Sequence, residues 1–402
     1  MTTRILFVGE AVTLAHVARP LVLANALDPT RYEVIFACAN QYRIWLTGSD
    51  HVRHLPLKSL SPERFVAALA AGRPVYDQGT LEGYVEEDRR ILREIRPDLV
   101  VGDFRLSLAV SAPLESVPYF NLTNAHWSPY AKLARYPFPE HPLRKRVGLP
   151  VAETLFRCVR PLIFRMHALP LNRVRKAHGL SRFADLREAY TWGDRTLYAD
   201  VPELVPTTDL PASHRYLGPV LWSPPAPLPS WWESIPNDRP LVYVTMGSSG
   251  QVSALPALVS ALAALPVYAM VATAGRVTMA GLPSNVYAAK YLPGMVAAGR
   301  SALVVCNGGS ATVYQALSQG VPVLGIASNM DQHLTMGAVQ TANAGVLVRA
   351  EQATENRVSD AVALTLNAPQ FGQGAKQVAV WCSRMDAIAN LLAAIADRSP
   401  RS

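Results

Sequence analysis

Residues 303–332 read LVVCNGGSATVYQALSQGVPVLGIASNMDQ. Leu303–Cys306 is wholly apolar, the pattern of a strand buried on both faces. It runs into Asn307-Gly308-Gly309, and a helix is expected from about Ser310–Thr312 to Ser318. Gly320 ends that helix, and Val321–Ile326 is the next apolar strand. Strand, turn, helix and strand make one βαβ unit, and hence a parallel sheet. Paired glycines let backbone approach a ligand with no Cβ in the way. The helix start offers unpaired N–H groups and a positive dipole end, which together suit a diphosphate. Ser310 and Thr312 add hydroxyl donors. A purely structural turn would tolerate the same glycines.

The same rhythm extends in both directions. Leu241–Met246, Val267–Ala272, Val286–Ala289 and Val346–Val348 read as further buried strands of this half. In the N-terminal half, Ile5–Val8, Tyr32–Cys38, Leu99–Val101 and Val117–Leu122 are strands, with helices over about Ala15–Leu27 and Leu81–Arg96. Between the halves, seven prolines fall between Leu217 and Pro240, the composition of an extended, semi-rigid connection. The expected fold class is therefore α/β, with two doubly wound Rossmann-like domains. Residues 1–218 form the first, 219–240 a Pro-rich linker and 241–402 the second, whose terminal helix can return to the first. Ligands of open α/β sheets bind outside the carboxyl ends of the strands, so a cleft between two such domains is the expected site.

Composition agrees. The chain has 402 residues, too many for one ordinary domain, and half of them are apolar against 17% charged, which excludes a disordered chain. Cys38, Cys158, Cys306 and Cys382 are too widely spaced for a disulfide framework or a zinc site, and fit a reducing cytoplasm. The apolar stretch Ala254–Gly275 is divided by Pro256 and Pro266 and reads as a helix followed by a buried strand rather than a membrane span. The net charge of +8 is concentrated: between Lys132 and Lys176 stand eleven Lys/Arg and two acids. This segment interleaves arginines with aliphatics. It reads either as a solvated helix face or as a peripheral membrane contact through 132–176. No nucleic-acid-binding module accompanies the charge.

Asn307-Gly308-Gly309 with Thr312, then Gly320-Val321-Pro322, then Asp331-Gln332, resembles the donor signature of the family-one inverting glycosyltransferases, which have the two-domain GT-B fold. Tyr243 to Ser248 resembles that family's strand leading to a Gly-Ser turn, and Tyr291-Leu292-Pro293 the segment beside the nucleobase. The resemblance implies that Gly247, Ser248, Asn307, Gly308, Gly309, Ser310 and Thr312 surround the diphosphate. It puts Tyr291 and Leu292 at the base, Gln315 at the ribose, and Asp331 and Gln332 at the sugar hydroxyls. Two positions depart from the pattern. Asn307 stands where the family has His, and so supplies no charge. Gln315 stands where UDP-sugar enzymes have the Glu that grips both ribose hydroxyls, which favours a dTDP donor.

His16, at the start of the first helix, lies in Ala15-His16-Val17-Ala18-Arg19-Pro20, which resembles the family's Gly-His-x-x-Pro segment. The resemblance makes His16 the general base and Asp103, at the end of its strand, the acid that orients it. An acceptor hydroxyl needs such a base, because it is a poor nucleophile until its proton is taken. Both residues follow strands of one sheet, so contact is sterically reasonable. No carboxylate pair of the glycosidase kind is required. The chain contains no Asp-x-Asp; no metal and no cofactor are expected, the nucleotide sugar being a co-substrate. Asn124, His126, Trp127 and Tyr130, in a polar and aromatic loop after a strand, are candidates for the acceptor. Trp127-Ser128-Pro129-Tyr130-Ala131, the run Leu197 to Glu203 and the run Leu217 to Pro224 are similar to the mycobacterial rhamnosyltransferases of phenolic glycolipids. That similarity implies dTDP-rhamnose and a phenolic, lipid-like acceptor. The open alternatives are a UDP-glucose enzyme acting on a small aglycone, a nucleotide-sugar 2-epimerase, and a non-catalytic nucleotide-sugar binder.

Overall fold

Among the described residues every pair of named strands is parallel, which follows from strands that alternate with helices. The computed structural model describes residues 2–45, 51–133, 135–138, 140, 146–247, 250 and 252–397. The first sheet has seven strands: β1 Thr3–Gly9, β2 Tyr32–Cys38, β3 Val52–Pro56, β4 Leu99–Asp103, β5 Tyr119–Thr123, β6 Arg195–Tyr198 and β7 His214–Tyr216, in the order β3-β2-β1-β4-β5-β6-β7. The second has six: β8 Leu241–Thr245, β9 Tyr268–Ala272, β10 Val286–Ala289, β11 Leu303–Cys306, β12 Val323–Ala327 and β13 Gly345–Arg349, in the order β10-β9-β8-β11-β12-β13. In each sheet the order reverses once, between β1 and β4 and between β8 and β11. Those two reversals are the topological switch points, where the chain leaves neighbouring strands in opposite directions and opens a crevice at their carboxyl ends.

The chain divides into two compact units, Met1–Ala134 with His141–Val220 and Met385–Ser402, and Arg135–Glu140 with Leu221–Arg384. Within the first, alternate residues of β1 serve both faces. Ile5 and Phe7 pack with Val17, Leu21 and Leu23 of the helix Leu14–Asn25 and with Leu391 and Ile395 of the C-terminal helix Ala387–Ala396. Leu6 and Val8 turn the other way, onto Ile91, Leu92 and Leu108. Within the second, Val242, Val244, Val305 and Ile326 pack against Leu255, Leu258 and Leu262 of the helix Leu255–Ala263. The stretch 254–275 thus resolves into a helix and β9, as its two prolines predict. A different stretch, Pro369–Ala396, is long and apolar enough to cross a membrane by length and composition, but it breaks into the helices Pro369–Ser383 and Ala387–Ala396.

The proline-rich stretch carries one short 3₁₀ turn, Trp232–Ser234, and is otherwise irregular. From Leu221 onward it belongs to the second unit. Ser223 Oγ accepts from Met295 N at 2.9 Å, Arg300 Nη1 donates to Trp232 O at 2.5 Å, and the Arg300 guanidinium lies 5.0 Å from the Trp232 ring centroid. Strands β3, β6 and β7 are not among those expected from the sequence, and the later part of the basic segment lies on a 29-residue helix, Leu149–Ala177, in line with its reading as a helix face.

Candidate functional site

At the first switch point β1 and β4 end side by side, with Gly9 opposite Asp103. A Cβ on Gly9 would stand 3.0 Å from His16 O and 3.1 Å from Val17 Cα, so the glycine lets the following helix start seat directly over the strand end. That brings His16 Nδ1 to 2.8 Å from Asp103 Oδ1. Asp103 is fully buried, while the His16 side chain keeps 20% of its surface in solvent. Asp103 has a second partner that the sequence reading leaves out. Arg19, one turn along the helix, donates Nε to Oδ2 and Nη2 to Oδ1, both at 2.8 Å. A carboxylate accepting from both neighbours satisfies all three contacts, so the Nδ1 proton lies toward Asp103 and Nε2 is the nitrogen left for a substrate. The 3.2 Å approach of Arg19 Nη2 to His16 Nδ1 is then a proximity of two donors.

The chain of polar contacts continues inward. Arg19 Nη1 donates to Asn124 Oδ1 at 2.8 Å, and Asn124 Nδ2 donates to Asp200 Oδ1 at 3.1 Å. Asp200 Oδ2 also accepts from Ala125 N at 2.6 Å. Arg19, Asn124 and Asp200 are all buried, and buried polar groups hold a fixed geometry when each is satisfied. Asn124, expected at the acceptor, is spent on this support. His126 is buried as well, its ring 5.8 Å from that of Trp127. Trp127 remains half-exposed and packs on Tyr190 at 5.4 Å; Tyr190 packs on Phe104 at 5.2 Å; Phe104 stacks on His16 at 4.8 Å. Phe104 adopts φ +58°, a left-handed conformation costly for an aromatic residue and typical of a functional position. An aromatic wall therefore runs from His16 to Trp127. Tyr130 sits apart, edge-on to His214.

Beneath this site lies a second polar cluster. Arg105, with no exposed surface, donates to Glu10 Oε2 at 2.9 Å, Asp88 Oδ1 at 2.9 Å, Glu87 Oε2 at 3.2 Å and Lys58 O at 2.6 Å, and its guanidinium lies 3.7 Å from the Tyr84 ring centroid. Burial pushes the Glu10 carboxyl above its ordinary range, and Arg105 opposes the shift. Glu10 N donates to Asp103 O at 3.1 Å, so this cluster anchors the backbone that presents Asp103.

At the second switch point the loops after β8 and β11 meet. Asn307 is the hub: a Cβ on Gly250 would stand 2.9 Å from its Cβ, one on Gly309 3.3 Å from its Oδ1, and one on Gly247 3.7 Å from its Nδ2. Gly309 N donates to Asn307 Oδ1 at 3.2 Å, and Arg276 Nη1 reaches Gly250 O at 2.6 Å. Gly309 is the N-cap of the helix Ser310–Ser318. Thr312 is in its first turn. Gly308 has φ +75°, and a Cβ there would meet Met336 Cγ at 2.7 Å on the helix Met330–Thr341, which carries Asp331 and Gln332. Gln332 is buried, its Oε1 accepting from Ser328 N at 2.8 Å; Asp331 is half-buried in the first turn. Gln315 donates Nε2 to Trp222 O, and its Oε1 lies 2.7 Å from where a Gly294 Cβ would stand, beside Tyr291 and the buried Leu292. That amide is thus partly used to hold the proline-rich stretch. Ser248 lies outside the described residues.

His333, next to Gln332, is buried with neither ring nitrogen hydrogen-bonded, and burial with Arg349 nearby pushes it down to about 3. Replacing Gly308 with alanine is expected to destabilise the second unit by about 1–2 kcal/mol, since it forces a Cβ into the left-handed region. Differential scanning fluorimetry reads this directly, and an unchanged melting temperature would show that the loop relaxes freely.

Residues 255–384 match the family model described as Erythromycin biosynthesis protein CIII-like, C-terminal domain. Over 377 residues, 94% of this chain and 88% of the relative, the sequence is 52% identical to the PGL/p-HBAD biosynthesis glycosyltransferase of Mycobacterium tuberculosis. It is likewise 52% identical, over 94% of this chain and 83% of the relative, to the PGL/p-HBAD biosynthesis rhamnosyltransferase of Mycobacterium bovis. Among solved structures, the Spinosyn Rhamnosyltransferase SpnG complexed with thymidine diphosphate superposes with a TM-score of 0.70 at 18% identity, over 98% of this chain and 100% of that one, which gives the GT-B fold. With paired Rossmann-like sheets and this degree of identity over nearly its whole length, the chain is a glycosyltransferase and belongs to the family of the mycobacterial PGL/p-HBAD biosynthesis glycosyltransferases.

Proposed function

We propose that this glycosyltransferase moves a deoxyhexose, rhamnose in the favoured reading, from a dTDP donor to the hydroxyl of a phenolic, lipid-like acceptor, with inversion and without a metal ion. The observation that carries it is the 2.8 Å contact between His16 Nδ1 and Asp103, on a histidine that still reaches solvent. Nε2 takes the acceptor proton as the new carbon–oxygen bond forms, and Asp103 stabilises the resulting imidazolium. The carbon–oxygen bond to the diphosphate breaks on the opposite face, which inverts the anomeric centre. The departing charge is met by the helix start at Ser310 and the amides around Gly309. The absence of Asp-x-Asp agrees with a leaving group stabilised in this way.

Two observations support the donor. One relative is called a rhamnosyltransferase. Gln315 replaces the carboxylate that would grip two ribose hydroxyls, and its amide is engaged with Trp222, which suits a nucleoside with no 2′-hydroxyl. Isothermal titration is expected to give dTDP an affinity about tenfold higher than UDP, roughly 1.4 kcal/mol. Tighter binding of UDP would overturn the donor assignment and point to a UDP-glucose enzyme. Incubation with dTDP-rhamnose and a panel of phenols, read by mass spectrometry, tests transfer itself. A C2 epimer formed from donor alone, or no product with any phenol, would count against the reading.

A further inference from the structure

The helix Leu149–Ala177 buries one face and leaves an unusual one in water. Ala152, Phe156, Phe164, Ala168, Leu171 and Val174 face the protein. On the opposite side Val151, Leu155, Val159, Leu162, Met166 and Leu169 are each 45–62% exposed. Their spacing of four, four, three, four and three residues puts them on a single stripe, about 27 Å long. A solvated helix face should carry charges at these positions, and isolated exposed aliphatics would not align. Thr154, Cys158, Pro161 and Arg165 are exposed alongside the stripe, Arg173 and Lys176 extend it toward the C-terminal end, and Arg157 is exposed farther round the helix, so the charged residues exposed on this helix are all basic. The helix has one acid, Glu153, and it is half-buried.

We propose that this face docks on an anionic phospholipid bilayer, the stripe entering the acyl boundary and the basic residues meeting the headgroups. The charge pattern selects that occupant. A second copy of the same face would set arginine against arginine with no carboxylate to pair it. A neutral apolar partner would leave the basic flanks without counter-charge. The proposal goes beyond the donor and acceptor assignments and holds whichever sugar is transferred.

The chain carries its own probe. Cys158 is exposed on this helix, whereas Cys38, Cys306 and Cys382 are buried, and burial pushes the Cys38 and Cys306 thiols up to about 12. A thiol-reactive, polarity-sensitive dye therefore labels Cys158 selectively at neutral pH. With phosphatidylglycerol–phosphatidylcholine vesicles the dye emission is expected to shift to the blue, and the unlabelled protein is expected to co-sediment. Pure phosphatidylcholine should bind about tenfold more weakly, and added salt should weaken the anionic case. The variant L155E/L162E/M166E should lose at least about tenfold in vesicle affinity with an unchanged melting temperature, since all three side chains face water. Three results would overturn the proposal. The protein fails to bind anionic vesicles; the triple variant still binds them; or sedimentation velocity shows a dimer that the triple variant dissolves, which would make the face a self-interface.

Discussion

Replacing His16 with alanine is expected to lower kcat by about 10²–10⁴-fold, the usual contribution of a positioned general base. Donor binding should stay within about twofold, because the nucleotide is assigned to the other sheet and a small-molecule affinity change of that size is under about 0.5 kcal/mol. Single-turnover transfer and dTDP titration on the same protein separate the two effects. The expectation rests on geometry: the imidazole is held by Asp103 through Nδ1, stacked on Phe104, and keeps 20% of its side-chain surface in solvent. Near-normal turnover in the variant would remove His16 as the base. Loss of both transfer and donor binding would mean that the substitution disturbs more than proton transfer.

Replacing Arg105 with leucine should have the largest effect on stability. Glu10 and Asp88 are buried, and Arg105 is the cation bonded to both. Removing one partner of a buried ionic cluster typically costs about 3–5 kcal/mol, because the remaining charge has neither water nor a counter-ion. The cost should depend on pH in a definite direction. Burial already raises the Glu10 carboxyl, and without Arg105 the opposing influence disappears. A carboxyl whose folded pKa lies above its unfolded value loses stability as pH rises through the carboxylate range and regains it as pH falls. The deficit of the variant relative to the parent should therefore narrow on acidification. Denaturant titrations at several pH values measure it. A deficit that widens toward low pH would show that the carboxyls do not carry the penalty. Because Glu10 N holds Asp103 O, the variant should also transfer sugar more slowly at temperatures where it remains folded.

The central strands were legible because parallel strands buried on both faces leave apolar runs, as Leu303–Cys306 and Val100–Val101 do. The missed strands lack that mark. β3 and β7 are sheet edges whose side chains are mostly half-exposed, and β6 opens on Arg195 beside the edge. The contact between His16 and Asp103 is readable from strand ends and a motif, since β1 and β4 end side by side in one sheet. Arg19 is not, although it lies inside the same quoted segment. An arginine on a helix reads as solvated unless its partners are known, and these are Asp103, 84 residues away, and Asn124, 105 residues away. The aromatic wall was half legible. Trp127 stands in a loop whose composition invites ring stacking, whereas Phe104 and Tyr190 became relevant only through the fold. Asn124 has a partner that its place in a polar loop after a strand does not announce: it accepts from Arg19 and donates to Asp200.

The first unit is assembled from both extremes of the chain. Leu391, Ala394 and Ile395 fill its core beside Val17, Leu21 and Leu217, and Asn390 Nδ2 donates to Leu217 O at 2.9 Å. During synthesis the amino-terminal sheet therefore emerges from the ribosome with one side of its interior uncovered, and it waits for the second unit to be made before its last packing layer arrives. Domains that normally fold in order of translation cannot do so here. Residues 1–220 expressed alone would expose a greasy seam, and supplying residues 385–397 as a separate peptide would be the natural way to close it.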